Sequence, residues 1–388
     1  MMNWDKIKLG DLCEVITKGT TPTSIGHNFT DSGIKFIKVE SLTESGEIIP
    51  NKVAYIDEDC HQALKRSQLK KDDILFSIAG ALGRIGIVKE DILPANTNQA
   101  LAIIRLKKES NALVDFIAKY FNSNIVTDEI EKLRIGAAQQ NLSLTQLNNL
   151  FVPLPPLPEQ QRIVSILDEA FAAITKAKAN AEQNLKNANE LFESYLQGVF
   201  EKKGAGWEEQ LLEDCFKMKS GDNLTAKNMS EGEYPVFGGN GIAGYHNEYN
   251  LSGSNVIIGR VGALCGNVRH ITENIWLTDN AFKVVDFKFD FDHSFLTYLL
   301  NHKDLRSYAR QAAQPVISNS SLKDVVLNFP KSKTEQQTIV RQLDALRAET
   351  QKLEAVYQKK IADLEELKKS ILQKAFEGEL ETEKAVAV

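Results

Sequence analysis

The chain has 388 residues, 43% apolar and 25% charged, which is enough for two ordinary cores and their connecting elements. Its formal net charge of −6 argues against a general nucleic-acid coat, because non-specific DNA affinity comes largely from Lys and Arg neutralising phosphates. The first ten residues contain no apolar signal core and no uncharged apolar run approaches the roughly 18 residues of a membrane span, so a membrane protein is excluded and a cytoplasmic location is predicted.

The globular parts of the chain alternate short strands with helices. Strands are recognised by β-branched residues between turn-rich boundaries. They are predicted over residues 33–39, 73–78, 84–89, 100–106, 254–259 and 280–285. Apolar residues at three and four spacing predict helices over residues 112–130 and 294–311. The pattern indicates α/β domains, each with a small, irregular sheet.

Two long segments, residues 159–201 and 335–377, show the apolar 3-4 spacing of a heptad seam and are predicted to be helices. Thr334 with Gln337 predicts a capping box for the second helix. Asn184 and Lys360 hold equivalent seam positions, where a polar residue either sets register or lies at the water-exposed edge. The main predicted seam residues are Ile163, Leu167, Ile174, Asn184, Leu191 and Tyr195 in the first helix, and Ile339, Leu343, Leu353, Lys360, Leu364 and Ile371 in the second.

The chain contains an internal repeat. Residues 159–201 align without a gap with residues 335–377, from "EQQRIVSILD" and "EQQTIVRQLD" to "LQGVFE" and "LQKAFE". Similarity continues upstream, where "ILFSIAGALG" echoes "VIIGRVGALC" and "NTNQA" echoes "LTDNA". The order of these matches indicates two copies of one unit, each a globular domain followed by a long helix.

The connectivity of such a repeat predicts the direction of the helices. The second helix can bury its seam on the first only by running back along it, so the pair is expected to be an antiparallel coiled coil with internal pseudo-two-fold symmetry. The predicted fold class is therefore α+β, with two similar mixed domains joined by two long helices. The acidic excess lies mostly in those helical segments, with 7 acidic and 4 basic residues in 159–201 and 11 and 9 in 335–388.

The usual catalytic motifs are missing from the sequence. "GNGIAG" at 239–244 fits GxGxxG, but the following "YHNEYN" is not the apolar start of a crossover helix, so a glycine-rich loop is the better interpretation. No P-loop, HExxH or GxSxG occurs, and the six histidines show no ligand spacing that predicts a metal site. The four cysteines lie far apart without a CxxC pair and are predicted to be reduced and mostly buried. The sequence predicts a chain without activity of its own.

These same residues resemble a known family. Two variable α/β domains, each followed by a long helix that opens after a phrase such as "PLPPLPEQQRIVSILDE", are similar to the specificity subunit of type I restriction–modification enzymes. The resemblance covers essentially the whole chain. The second copy, "NFPKSKTEQQTIVRQLDA", keeps the EQQ start but loses the prolines.

The resemblance implies a division of the chain and a set of partners. The implied parts are target recognition domains at 1–155 and 204–331, spacer helices at 156–203 and 332–378, and a tail at 379–388. Each domain would read one half of a split sequence in double-stranded DNA, and the helices would set the gap and hold two modification subunits. Those subunits would carry S-adenosylmethionine and methylate adenine, and restriction subunits using ATP and Mg²⁺ can join. No cofactor is expected in this chain itself.

Candidate base-reading residues are polar side chains on the turn-rich loops, because Arg and Lys recognise guanine while Asn and Gln recognise adenine. In the first domain they are Lys18, Thr20, Thr21, Thr23, Arg84, Gln139, Gln140 and Asn141. In the second they are Lys219, Asn223, Asn240, Tyr245, His246, Arg260, Arg269 and Gln314. For each one, an ordinary solvated loop or turn residue remains the alternative.

Two other classes of function stay open from the sequence. One is a coiled-coil interaction scaffold whose end domains bind proteins or glycans without DNA specificity. The other is an enzyme with an unusual active site in the glycine-rich loop at 239–244. DNA binding by the assembled complex that weakens steeply with salt would separate DNA recognition from the scaffold.

Overall fold

The computed structural model describes residues 4–43, 46–134, 141–202, 204, 206–310 and 314–380. The chain divides into two compact units. Unit 1 comprises Met1–Ala181 with Lys359–Val388, and unit 2 comprises Glu182–Gln358. Each of the two long helices therefore contributes one part to each unit.

The strands follow one another in the same order in both halves of the chain, and unit 1 has additional helices. The strands of unit 1 are β1 (Lys6–Lys8), β2 (Cys13–Lys18), β3 (Ile34–Ile37), β4 (Ala54–Ile56), β5 (Ile74–Ser77), β6 (Ile85–Ile87), β7 (Ala95–Thr97), β8 (Leu101–Leu106) and β9 (Phe151–Pro153). Helices α1 (Leu9–Leu12), α2 (Glu58–Ala63), α3 (Val114–Phe121), α4 (Asn124–Arg134), α5 (Leu144–Asn148) and the long α6 (Leu157–Glu201) accompany them. The strands of unit 2 are β10 (Trp207–Leu211), β11 (Lys217–Ser220), β12 (Tyr234–Gly238), β13 (Gly241–His246), β14 (Asn255–Gly259), β15 (Val268–Ile271), β16 (Trp276–Leu277), β17 (Ala281–Val285) and β18 (Val326–Pro330). Its helices are α7 (Leu212–Cys215), α8 (His293–His302), α9 (Asn319–Leu322) and the long α10 (Lys333–Glu377).

The two units share one sheet topology. Unit 1 has a four-stranded sheet β2-β8-β5-β6, a three-stranded sheet β4-β3-β7 and a pair β1-β9; unit 2 has β11-β17-β14-β15, β13-β12-β16 and β10-β18. The pairs β3-β7 and β12-β16 are parallel, and the others are antiparallel. The expectation of one small sheet per domain is wrong, because residue type identifies a strand but carries little information about its partner.

The predicted helices within the domains are shorter in the structure. Residues 112–130 form α3 and α4, and the break follows the Ser123 hydroxyl donating to the Tyr120 carbonyl at 2.6 Å, a local bond that competes with the helix. The helix predicted at 294–311 is α-helical only to His302; Asp304 then adopts a left-handed φ of 45°, and a 3-10 helix follows at Leu305–Tyr308. The "GNGIAG" stretch is the turn and second strand of the β12–β13 hairpin.

The two long helices run antiparallel within each unit. In unit 1, Lys178 of α6 pairs with Glu365 of α10, and the later part of α10 joins the start of α6 in one apolar core. In unit 2, Arg347 of α10 lies over the Phe192 ring of α6, and the Tyr195 hydroxyl donates to Gln342. In both units, increasing residue numbers on α6 face decreasing numbers on α10.

The buried seam departs from the strict 3-4 spacing. Ile163, Leu167, Ile174 and Leu343 are buried, and Ile339, Leu364 and Ile371 are half-buried. The seam assignment is wrong for Asn184, Leu191, Tyr195, Leu353 and Lys360, which are exposed. On α6 the buried positions run Ala188, Phe192, Leu196 and Phe200. A straight helix has about 3.6 residues per turn, so a strict heptad pattern gradually rotates away from the buried face. The four-residue steps between these buried positions compensate for that rotation. The exposure of Asn184 and Lys360 favours the water-exposed edge over a register role.

The start of α10 also differs from its prediction. The helix begins at Lys333, so Thr334 lies inside it, and its carbonyl accepts the Thr338 hydroxyl at 2.9 Å. The Ser332 carbonyl accepts the first amides of the helix, from Glu335 and Gln336. The expected Thr334–Gln337 capping box is therefore wrong.

The cysteines are free and all four are buried, as predicted. Burial raises the pKa of the Cys13 and Cys215 thiols to about 12, so neither is a reactive thiolate. Across the described ranges, the helices lack the combination of length and apolar character that crossing a membrane requires.

Candidate nucleic-acid interface

One end of the four-stranded sheet in unit 1 gathers the loops that follow its strands. The loop after β2 lies against the segment between β7 and β8, where the Thr20 amide donates to the Thr97 carbonyl at 3.1 Å and the Thr21 hydroxyl bonds the Gln99 side chain. A Cβ on Gly19 would lie 1.9 Å from the Thr97 oxygen, so this close approach requires glycine. The arrangement holds two candidate threonines beside Gln99.

Two more candidates lie at the same end of unit 1, beside the last residues of β5. The Ser77 amide donates to the Arg84 carbonyl at 2.8 Å, and the Leu142 amide donates to the Ile78 carbonyl at 2.9 Å. These bonds place Arg84, and the segment that begins at Asn141, next to the end of β5. The exposed Lys18 is the last residue of β2, and the exposed Thr23 lies in the short 3-10 helix that follows (Pro22–Ile25). Gln139 and Gln140 lie outside the described residues.

Unit 2 builds the corresponding end with more glycine. A Cβ on Gly221 would lie 2.1 Å from the Leu277 oxygen, and one on Gly239 would lie 1.9 Å from the Val261 oxygen. The Gly262 amide donates to the Pro315 carbonyl at 3.1 Å, which brings the segment at Gln314 to the end of β14. Loops that follow β11, β12, β14 and β16 therefore meet, as their counterparts do in unit 1.

A shallow depression of about 250 Å³ lies at this end of unit 2. Its lining includes Asn240 at the hairpin turn, Asn280 before β17, and Gln314. The Asn240 side chain accepts the Leu264 amide at 2.9 Å, and a Cβ on Gly241 would lie 3.0 Å from an Arg269 guanidinium nitrogen. Side-chain amides thus line a space into which a base edge with matching donors and acceptors could fit, and the Arg269 guanidinium lies beside it at Gly241.

Arg260 lies beneath the same loops and is only partly paired. Its guanidinium stacks 5.2 Å from the Phe282 ring centroid, and its Nη1 reaches Ser220 and the Asp279 carbonyl at 3.4 and 3.5 Å. Within the described part of the chain, its Nε is a buried side-chain atom without a hydrogen-bond partner. A buried donor without a partner is costly, and because this nitrogen is buried, an outside ligand does not reach it in this arrangement of the loops.

The remaining candidates of unit 2 are not all brought together. Lys219 and Asn223 are exposed on and just after β11. His246 is only 7% exposed, its Nδ1 accepts the Ser230 amide at 3.0 Å, and it packs against Trp276, so its assignment as a base reader is wrong. Tyr245 is exposed, but it lies on β13 opposite Pro235, away from the turn.

Two residues of the loop ends were missed by the sequence reasoning. Gln99 and Asn280 both fall in the echoed phrases "NTNQA" and "LTDNA", one residue before the alanine in each. The repeat of a polar residue at that point was the available signal. Neither phrase contains the glycine or the basic residues that mark the other candidate loops.

One exposed apolar position repeats on the long helices. Leu191 of α6 is 50% exposed, and Leu367 of α10, its equivalent in the repeat, is 46% exposed. In unit 2 the exposed Tyr195 and the half-buried Val199 line a shallow groove with Leu191, whereas their equivalents on α10, Ile371 and Ala375, are half-buried and buried. Exposed apolar side chains of this kind are candidates for contact with a partner.

Comparisons with known proteins agree on one family. The model for the type I restriction modification DNA specificity domain matches residues 1–184 and 205–364. The type I restriction enzyme EcoBI specificity subunit of Escherichia coli is 34% identical over 169 residues, which cover 43% of this chain and 35% of that protein. The EcoprrI specificity subunit of Escherichia coli is 25% identical over 332 residues, 81% of each chain. A chain from a solved structure of complex assembly in the type I R-M system superposes with a TM-score of 0.80 at 20% identity, covering 97% of this chain and 98% of the other; this likeness shows the fold alone.

Proposed function

The chain belongs to the type I restriction modification DNA specificity family, and from this membership we propose that it is the subunit that recognises DNA in a restriction–modification complex. Its contribution is recognition, and the chemistry belongs to other subunits. Each of its two recognition domains reads one half of a split target, and the long helices set the gap between the halves.

The observation that carries this proposal is a repeated scaffold with different side chains at its loop ends. Both units present loops at the same end of a sheet of the same topology. Unit 1 presents Thr21, Gln99 and Asn141 there, whereas unit 2 presents Asn240 and Gln314. Two similar domains with different contacts are suited to two different half-sites, and each good bidentate contact discriminates by about 1–3 kcal/mol.

The proposed base-reading set follows from these positions. It keeps Lys18, Thr20, Thr21, Thr23, Arg84 and Asn141 in unit 1, adds Gln99, and keeps Lys219, Asn223, Asn240, Arg260, Arg269 and Gln314 in unit 2. The proposed domain boundaries remain 1–155, 156–203, 204–331, 332–378 and 379–388.

The proposed partners are two modification subunits that methylate adenine, with restriction subunits able to join. S-adenosylmethionine would be bound by the modification subunits, and ATP with Mg²⁺ by the restriction subunits. The repeated exposure of Leu191 and Leu367 supports two equivalent docking sites on the helices. The net charge of −6 also supports partners that supply the cations for phosphate contacts.

The first test is a map of methylated adenines in DNA from cells that carry the partner methyltransferase with and without this chain. Methylation confined to one split sequence, and lost without the chain, is expected. Replacing residues 1–155 by the first domain of a relative should change one half of that sequence and leave the other half intact. Methylation that persists without the chain would overturn the proposal and favour the interaction scaffold.

The role of the helices is tested separately by inserting whole helical turns at residues 180–190 of α6, with a matching insertion in α10 between Arg347 and Glu365, the partners of Phe192 and Lys178. The gap between the half-sites should lengthen while both halves keep their sequence. An insertion that alters the bases read would show that the helices are more than spacers. A seven-residue insertion of two turns preserves the face of the helix that packs on its partner.

A further inference from the structure

The repeated EQQ phrase places one buried glutamine at the start of each long helix. Gln160 is fully buried and Gln336 is 1% exposed, although glutamine is mostly a surface residue. The adjacent Gln161 and Gln337 are both exposed. The middle residue of the phrase is therefore distinguished from its neighbour of the same type.

Gln160 links three segments of unit 1 through backbone groups. Its Oε1 accepts the amide of Leu113, the N-cap residue of α3, at 2.9 Å. Its Nε2 donates to the carbonyls of Asn111 and Pro155, both at 2.8 Å. The side-chain amide thus joins the first turn of α6 to the start of α3 and to the segment that leaves β9.

Gln336 makes the same connection in unit 2. Its Oε1 accepts the amide of Asp292, the N-cap residue of α8, at 2.8 Å, and its Nε2 donates to the Pro330 carbonyl at 2.9 Å. Pro330 ends β18, the counterpart of β9. The two glutamines occupy equivalent positions and hold equivalent elements.

These bonds resist bending where the domain meets its helix. Helices α3 and α8 carry central core residues of their units, such as Phe116 and Phe295. A buried backbone amide without an acceptor is unfavourable. Moving either glutamine away would leave the Leu113 or Asp292 amide without its acceptor. Any change in the angle between domain and long helix would have to break these bonds first.

We propose that Gln160 and Gln336 are positioning residues that fix each recognition domain on its long helix and thereby fix the number of base pairs between the two half-sites. This inference rests on the proposed function. Neither glutamine touches DNA in the proposal; each acts through the orientation of the loop end of its own unit.

The test uses the full chain with its modification subunits and four variants. Gln160→Met and Gln336→Met remove the bonds with little change in length, and Gln161→Met and Gln337→Met are matched controls at the exposed neighbours. The readout is the map of methylated adenines, sorted by half-site sequence and by gap length. The two buried variants should keep both half-sites while methylation at gaps one base pair shorter or longer rises at least about tenfold, the scale of effect expected for small misplacements.

A second substitution at the same position separates the loss of the bonds from a change in packing. Gln160→Glu keeps an acceptor for the Leu113 amide but places a carboxylate oxygen beside the Asn111 and Pro155 carbonyls, so it should broaden the gap at least as much as Gln160→Met. The control variants should show the single gap of the unaltered chain.

Other results would contradict the inference. A uniform fall in methylation at the original gap, without new gaps, in both Gln160→Met and Gln160→Glu would assign the glutamines to stability alone. An unchanged map would also overturn it. If the unaltered chain directs no methylation to a split sequence, the proposed function itself fails and the inference falls with it.

Discussion

The two units retain the same strand pairing but distribute their loops differently. In unit 1, β3 and β4 are joined by residues 38–53, and α2 lies between β4 and β5. In unit 2, the equivalent β12 and β13 are joined only by Gly239 and Asn240, and residues 247–254 lead directly to β14. Pairing is set by the cores, whereas the connections lie on the surface and can vary. The difference suits a protein that must keep one scaffold and read two sequences.

The units also differ in the polar groups beside their central strands. Asp73, immediately before β5, is fully buried and accepts two bonds from Arg105 at 2.7 Å. Ser254, immediately before β14, lies 2.8 Å from both His270 and His293. At the residue before the central strand, unit 1 therefore has a buried ion pair, whereas unit 2 has a hydroxyl between two histidine rings. The two arrangements should respond differently to mutation and to pH.

The largest expected effect is the loss of the ion pair in unit 1. Asp73→Ala leaves the Arg105 charge without its partner and should lower the free energy of unfolding of unit 1 by about 3–5 kcal/mol. Hydrogen–deuterium exchange of the full chain should show faster exchange in β5 and β8, with unit 2 unchanged.

The control for that variant is a solvent-exposed ion pair in unit 2. Lys331 lies 3.0 Å from Glu208 and is 72% exposed, so Lys331→Ala should cost less than about 1 kcal/mol. If Asp73→Ala and Lys331→Ala lowered the free energy of unfolding equally, burial would not explain the contribution of the Asp73–Arg105 pair.

The next effect concerns the division of base reading between the units. Gln314→Ala should weaken discrimination at one half-site by about 5- to 150-fold, the equivalent of 1–3 kcal/mol, and Asn141→Ala should do the same at the other half only. Both side chains are exposed at the loop ends. Sequencing of the methylated sites measures each half separately.

Asn247→Ala is the matched control for these two variants, since Asn247 is exposed just beyond β13, away from the loop end. It should leave both half-sites unchanged. If Gln314→Ala relaxed both halves equally, the assignment of one half-site to each unit would be lost.

A third difference is an exchanged pair on the long helices. In unit 1 the Phe171 ring of α6 lies 5.3 Å from the Lys368 ammonium of α10. In unit 2 the Arg347 guanidinium of α10 lies 4.8 Å from the Phe192 ring of α6. Phe171 is equivalent to Arg347, and Phe192 to Lys368, so aromatic ring and cation have changed places. The exchange makes α6 complementary to α10, because two copies of α10 paired in this way would oppose Arg347 and Lys368.

This exchange can be tested by a double-mutant cycle. Phe192→Lys places a second cation beside Arg347 and removes buried aromatic area, so it should lower the free energy of unfolding of unit 2. Adding Arg347→Phe recreates the arrangement of unit 1. It should recover about 0.5–2 kcal/mol of coupling, the usual range of a cation–π contact, in urea unfolding.

Lys352→Ala is the control, because Lys352 is exposed and pairs with Glu349, an exposed neighbour on its own helix. It should change the unfolding free energy by a few tenths of a kcal/mol. Additive effects of the two substitutions at 192 and 347 would show that the exchange is not an energetic coupling.

The repeat, the long helices and most strands could be predicted from the sequence because they follow from local periodicity and a gap-free self-alignment. The seam beyond Ala188 could not, since a strict heptad pattern ignores the drift of the helix, which moves burial to Phe192 and Leu196. The burial of His246 depends on the Ser230 amide, which is brought to it by the fold. The same holds for Gln160, because two of its three partners, Leu113 and Asn111, come from a distant segment. Long-range backbone partners leave no pattern in a single sequence.

The smallest expected effect is a difference in pH response between the units. Burial, with a smaller contribution from His270, lowers the pKa of His293 below its ordinary value of 6.5. Asp292 opposes this shift and Lys333 adds to it. As the pH falls through 6.5, His293 becomes protonated in the unfolded chain but stays neutral in the folded chain. Unit 2 therefore loses stability until the pH falls below the lowered pKa.

His293→Asn should remove part of that pH dependence, and His302 should sustain the rest because burial lowers its pKa as well. Since His293 is only half-buried, the change in the unfolding midpoint of unit 2 between pH 7.5 and 5.5 should fall by about 1–2 °C. Thermal unfolding at both pH values, followed by hydrogen–deuterium exchange of α8 peptides with unit 1 peptides as the internal reference, measures the effect. Identical pH profiles for the variant and the unaltered chain would mean that the Ser254 hydroxyl stabilises the charged and neutral imidazole equally, since it can donate to one and accept from the other.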